Sequence, residues 1–150
     1  MSKAIVFGGS GFLGSYVADI LSGKGNEVVI YDLKPSRYIK SHQTMIVGDI
    51  LDFKKVKEAV REAQIVYNFA GIADVNEASR EPIKTIEQNI LGNTYILEAI
   101  KESKIERYVF ASTVYVYSKA GSFYRTSKQA CELYIEDYAE KYKVPYTILR

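Results

Sequence analysis

The amino-acid sequence predicts an α/β protein: a doubly wound parallel sheet in strand order 3-2-1-4-5-6 with helices on both faces. Three observations carry that expectation. Short apolar runs rich in Ile, Val, Tyr and Phe alternate with longer stretches whose apolar residues recur every three or four positions. Such alternation demands right-handed crossovers and a sheet buried on both faces. The first run ends in glycines spaced by three, Gly8, Gly11 and Gly14.

Strands are expected at 3–7, 27–31, 44–47, 64–68, 106–111 and 146–149, and helices at 12–23, 52–62, 82–102 and 123–142. Lys24-Gly25-Asn26 closes the first helix with a glycine stop signal. In the second helix Lys54, Lys55 and Lys57 are interleaved with Glu58, Arg61 and Glu62, and Lys54 can pair with Glu58 across one turn. Pro82 suits a first helical turn, where its missing N–H would have had no partner. Pro145 separates the last helix from the last strand. There are no internal repeats, low-complexity tracts or linkers.

A length of 150 residues fits one domain able to bury a core. With 47% apolar and 25% charged residues, the chain is neither disordered nor a membrane protein. No apolar stretch is long enough to span a bilayer, and Met1-Ser2-Lys3 leads straight into the first strand, so a cytoplasmic protein is expected. The single cysteine, Cys131, fits a reducing compartment. It shares a helical stripe with Tyr124, Lys128, Ile135 and Tyr138, which reads as packing. A net charge of +2, from 20 basic and 18 acidic residues spread along the chain, offers no one-sided patch for nucleic acid. His42 sits alone in a polar loop, so no metal site is expected.

The glycine spacing points to a dinucleotide. Gly8 can take the tight strand-to-helix turn, Gly11 lets the backbone approach phosphates, and Gly14 lets the helix pack close. The amides of Phe12, Leu13 and Gly14 then face the diphosphate, helped by the helix dipole. Asp32, 18 residues past Gly14, can accept from both adenosine ribose hydroxyls. Its charge repels a 2′-phosphate, so NAD is the expected cofactor; Lys34 and Arg37 nearby leave NADP as an alternative. After the third strand, Asp49 of Gly48-Asp49-Ile50 can accept from the adenine amino group. After the fourth, Phe69-Ala70-Gly71 lets the cofactor pass the sheet edge. After the fifth, Thr113 puts a hydroxyl over the nicotinamide side. Taken singly, each of these last three equally suits a helix cap or a solvated turn.

The catalytic candidate is Tyr124 with Lys128, four apart and so on one helical face. A lysine charge about 5 Å away at an effective dielectric near 20 is worth roughly 3 kcal/mol, about two pKa units, and brings a phenolate base within reach. Thr113 would steady the substrate oxygen. Among 13 tyrosines such a spacing arises by chance, and Tyr115 with Lys119 also has it. Tyr115 is expected at a strand end, where four residues do not bring side chains together, so Tyr124 is preferred.

The whole chain resembles the N-terminal nucleotide-binding portion, a Rossmann fold, of an extended short-chain dehydrogenase/reductase in the NAD-dependent epimerase/dehydratase family. The resemblance runs through Gly8 to Gly14, Asp32, Gly48-Asp49, Asn68-Phe69-Ala70, Gln88-Asn89-Ile90-Leu91-Gly92, Thr113, Tyr117, Tyr124-x-x-Ser127-Lys128 and Leu149-Arg150. It implies transient hydride transfer from a sugar carbon to tightly held NAD, with the tyrosine taking the hydroxyl proton. It also implies that Lys128 holds the nicotinamide ribose, that Asn89 braces the site and is among the cofactor-binding residues, and that two copies pair through helices 82–102 and 123–142. Val114 and Tyr115 stand where family dehydratases carry an Asp-Glu pair, which argues against 4,6-dehydration and against glutamate-dependent decarboxylation. Ser118 replaces a usual glycine, and the stretch from Thr113 to Tyr124 is short for the family. The expectation is an NAD-dependent epimerase or ketoreductase of a nucleotide sugar, represented by its cofactor-binding part, with the substrate lobe lying outside residues 1–150. The alternatives are a non-catalytic dinucleotide-binding module and a reductase of a small ketone.

Overall fold

A computed structural model describes residues 2–150. Six parallel strands form one sheet in the order β3-β2-β1-β4-β5-β6, as the sequence predicts. They are β1 (Lys3–Phe7), β2 (Glu27–Asp32), β3 (Gln43–Val47), β4 (Ile65–Asn68), β5 (Arg107–Ala111) and β6 (Tyr146–Leu149). The register aligns their carboxyl ends: Phe7 lies opposite both Tyr31 and Asn68, and Asn68 opposite Phe110. The residues that follow, among them Gly8, Asp32, Phe69 and Ala111, therefore emerge along one edge.

Alternate side chains of each strand enter opposite faces. Ile5, Phe7, Val29, Tyr31, Val66, Tyr108 and Phe110 enter the larger core beneath α2 (Phe53–Val60), α5 (Gly92–Ile100) and α6 (Ser122–Tyr142). Val6, Val28 and Ile30 point the other way, against Ala18 of α1 (Phe12–Gly23). Each fully buried Ile, Val or Phe contributes about 1.5–3 kcal/mol relative to exposure, and this ties the helices to the sheet. No helix is long and apolar enough to cross a membrane among the described residues.

Four local features depart from the expectation. A short helix α3 (Val75–Arg80) lies where a loop was expected; Asp74 caps it by accepting from the Glu77 amide at 2.7 Å. The stretch expected as one helix over 82–102 divides into α4 (Pro82–Thr85), a π-helical turn (Ile86–Leu91) and α5. Tyr115 belongs to a 3₁₀ turn (Val114–Tyr117), because β5 already ends at Ala111. Among the described residues Lys54 and Glu58 form no ion pair; near this helix Lys3 instead pairs with Glu62 at 2.6 Å.

Candidate active site

The glycine turn is built so that side chains are sterically excluded. Gly8 has φ +73°, and a Cβ there would come within 2.7 Å of the Ala70 nitrogen. A Cβ on Gly14 would lie 2.2 Å from the Gly8 carbonyl oxygen, so this glycine seats α1 on the turn itself rather than on the sheet. Gly11 is the N-cap of α1 and brings no capping side chain to the first-turn amides. Such a helix start attracts an anion. The side chains of Phe12 and Leu13 are 79% and 59% exposed and turn outward, so only their amides can serve here.

Asp32 closes the turn. Its two carboxylate oxygens accept from the Ser10 amide at 3.0 Å and the Lys34 amide at 3.1 Å. Each retains acceptor capacity, since a carboxylate oxygen takes two hydrogen bonds. Gly8, Gly11, Asp32, Ile50, Phe69, Ala70 and Gly71 line one cavity of about 340 Å³. A bare-amide cradle, an acid with free acceptor capacity and a pocket lined by Ile50 together fit an adenine dinucleotide. The cavity rim also carries Glu77 and Lys84, whose side chains approach to 3.4 Å. Glu77 lies on α3, outside the expected elements, whereas Lys84 lies in the expected helix but belongs to no motif. The signal for α3 was present: Asp74-x-x-Glu77 has the spacing of a helix-start motif.

Asn89 does not line this cavity. Its amide is fully engaged as a brace: Oδ1 accepts from the Ile72 amide at 2.7 Å, and Nδ2 donates to the Ile72 carbonyl at 3.1 Å and to Ser127 Oγ at 2.9 Å. Ser127 in turn donates to the Tyr124 carbonyl at 2.8 Å. A continuous chain thus runs from the cavity wall at Ile72 to the candidate tyrosine. The Asn89 carbonyl accepts from the Cys131 thiol at 3.1 Å. Cys131 is buried, as expected, and burial pushes its thiol up to about 12.

Thr113, Tyr124 and Lys128 gather at the carboxyl end of β5 and do not line this cavity. Thr113 Oγ1 caps the 3₁₀ turn by accepting from the Tyr115 amide at 3.3 Å. The Tyr115 ring meets the Tyr124 ring edge-on at 6.4 Å, whereas Lys119 is exposed, so the rival pair is not assembled. Lys128 is buried. Its Nζ donates to the Ala111 carbonyl at 2.8 Å and sits 4.6 Å from the Phe110 ring centre and 5.8 Å from that of Tyr124. Burial brings the Lys128 ammonium down to about 8. Burial also raises the Tyr124 phenol; the Thr113 hydroxyl opposes this and Tyr115 adds to it. The expected lowering of the phenol by Lys128 is therefore not realised: burial dominates, and the ammonium donates to a β5 carbonyl.

Behind this group a buried acid joins three elements. Glu132, one turn beyond Lys128, accepts from Ser112 Oγ and from Arg150 Nε and Nη2 at 3.0 and 2.7 Å. Burial would raise its carboxyl, but Arg150 and Ser112 hold it below the ordinary range. The Arg150 guanidinium also lies 5.2 Å from the Tyr117 ring centre.

A six-stranded 3-2-1-4-5-6 sheet with a glycine turn, an acid at the end of β2 and a Thr–Tyr–Lys group after β5 defines a Rossmann-type scaffold of the dinucleotide-binding class. The model of the NAD dependent epimerase/dehydratase family matches residues 4–150. A UDP-glucose 4-epimerase of Klebsiella pneumoniae is 30% identical over 127 residues, covering 77% of this chain and 91% of that protein. The structure of a UDP-glucose 4-epimerase from Thermotoga maritima with UDP-glucose superposes with a TM-score of 0.91 at 26% identity. The UDP-glucose 4-epimerase of Thermus thermophilus in complex with NAD gives 0.88 at 30% identity. In both cases 99% of this chain covers 54% of the other, so the chain spans about half the length of these solved relatives. The chain belongs to the NAD dependent epimerase/dehydratase family.

Proposed function

We propose that this chain is the NAD-binding part of an enzyme that epimerises or reduces a nucleotide sugar. The observation that carries the reading is the pairing of two features on one sheet edge. These are a cradle no side chain can enter at Gly8 and Gly14, and the Thr113–Tyr124–Lys128 group reached from it through Asn89 and Ser127. The 54% coverage of relatives supports assigning sugar recognition to residues outside this span.

In this reading the amides of Gly11 to Gly14 hold the diphosphate, Asp32 the adenosine ribose, and Asp49 the adenine. NAD, when bound, supplies a hydride acceptor and later returns the hydride. Thr113 donates a hydrogen bond to the sugar oxygen that changes charge. Tyr124 would act as the base that takes the sugar hydroxyl proton and would return it in the reducing direction; burial raises its phenol, so this role draws on a nearby positive charge. Lys128, with a value of about 8, remains mostly charged at neutral pH and favours any phenolate that forms. Asp32 supports NAD over NADP, since a 2′-phosphate would meet its charge. The exposed apolar side chains of Ile83 and Ile86 before α5 and of Leu133 on α6 support pairing of two copies through these helices.

The deciding experiment adds UDP-sugars to the protein that carries this chain and follows absorbance of the reduced nicotinamide. A sugar-dependent rise that disappears in Tyr124→Phe, while NAD affinity stays within about twofold, is expected. Full activity in that variant would remove the mechanism. NAD binding with no response to any UDP-sugar would favour a non-catalytic dinucleotide module.

A further inference from the structure

We infer that Tyr31 positions Asp49 and thereby sets the selectivity of the cavity's adenosine end for adenine over other purines. The inference rests on the dinucleotide reading and deepens it. Tyr31 is the penultimate residue of β2, 1% exposed, and it lines the cavity next to Asp32. Its ring lies 4.8 Å from that of Phe7, so packing holds it in place. Its hydroxyl donates to the Asp49 carbonyl at 2.8 Å. The other hydrogen bonds of Asp49 come from its own turn: the Asp52 amide reaches the same carbonyl at 3.0 Å, and the Leu51 amide reaches Oδ1 at 2.9 Å. On either side of Asp49 the segment is held by the Gly48 amide, which donates to the Asp32 carbonyl at 2.9 Å, and by buried Ile50; Tyr31 is the strand residue that reaches Asp49 itself.

Gly48 fits this role. A Cβ there would come 2.5 Å from the Tyr31 hydroxyl, so a bare residue is what lets the hydroxyl reach past to Asp49. Burial, reinforced by Asp52 and Asp49, pushes the phenol up to about 12, so it keeps the proton that it donates. Asp49 itself does not line the cavity, but its neighbours Gly48 and Ile50 do, which puts it at the rim; among the described residues its Oδ2 accepts no hydrogen bond, which leaves it for a donor such as an exocyclic amino group. Adenine offers that donor; hypoxanthine presents a carbonyl in its place and leaves the carboxylate without a partner.

The test is calorimetry on the full chain with two probes, NAD and its hypoxanthine analogue. The wild type is expected to prefer NAD. Tyr31→Phe keeps the ring and removes only the hydroxyl. It should weaken NAD about five- to tenfold, weaken the analogue less, and so shrink the ratio between them. Amide hydrogen exchange at Leu51 and Asp52 should quicken. The ratio is the deciding quantity, because partial unfolding of a variant raises both apparent dissociation constants by the same factor, which cancels. An unchanged ratio, including an equal loss for both probes, would overturn the inference, as would unchanged exchange. A wild type that binds NAD without preferring it would do so too. A wild type that binds neither probe would bring down the dinucleotide reading and the inference with it.

Discussion

Lys128 should cost this protein stability, and Lys128→Met should recover it. The ammonium is buried with one neutral acceptor, the Ala111 carbonyl at 2.8 Å, and its value falls from 10.5 to about 8. A lysine whose folded value is depressed destabilises the native state fully below that value, where both states are charged. The penalty fades as pH rises from about 8 towards 10.5, where the unfolded chain holds more protons than the native one. The shift corresponds to about 3 kcal/mol at pH 7, falling to about 2 kcal/mol at pH 9. Methionine keeps the apolar stem against Phe110 but forfeits a hydrogen bond worth about 1 kcal/mol. Lys128→Met should therefore be about 2 kcal/mol more stable than wild type at pH 7 and about 1 kcal/mol more stable at pH 9. Urea denaturation at the two pH values, both below the range where the buried tyrosines titrate, measures each gap. A variant less stable than wild type, or a gap that widens with pH, would refute the reasoning. The proposed mechanism makes the same variant catalytically poor, so the charge is one that function retains against stability.

Other contacts yield further expected outcomes. Gly14→Ala brings a methyl to 2.2 Å from the Gly8 carbonyl. It should destabilise by about 1–3 kcal/mol and weaken NAD at least about tenfold, read by thermal melting and calorimetry. Glu132 is held below its ordinary 4.5, so its contribution is complete above that value and is lost as pH falls through the lower folded one. In Glu132→Gln the acid-side loss in the urea midpoint should be smaller than in wild type; an identical profile would contradict the Arg150–Glu132 assignment. Cys131, buried and raised to about 12, should resist maleimide in native buffer and react once the chain unfolds. Stoichiometric labelling of the native protein would show that the thiol is not sealed against Asn89.

What the sequence determined alone was whatever local chemistry controls. Strand alternation dictated the sheet and its order, and the glycine spacing with Asp32 at the end of β2 marked the cradle. In each case the backbone requirement lies within a few residues of the signal. The tertiary structure alone decided the rest. It chose the partners of Asn89, bracing Ile72 to Ser127 rather than lining the cavity, through a π-helical turn that a 3.6-residue period does not register. It drew the Lys128 charge down onto Ala111, so that burial rather than the lysine governs Tyr124. It also set Tyr31, in sequence an ordinary strand residue, beneath Asp49 eighteen positions later. Hydrogen-bond partners and desolvation depend on which elements pack together, and neighbours along the chain do not specify them.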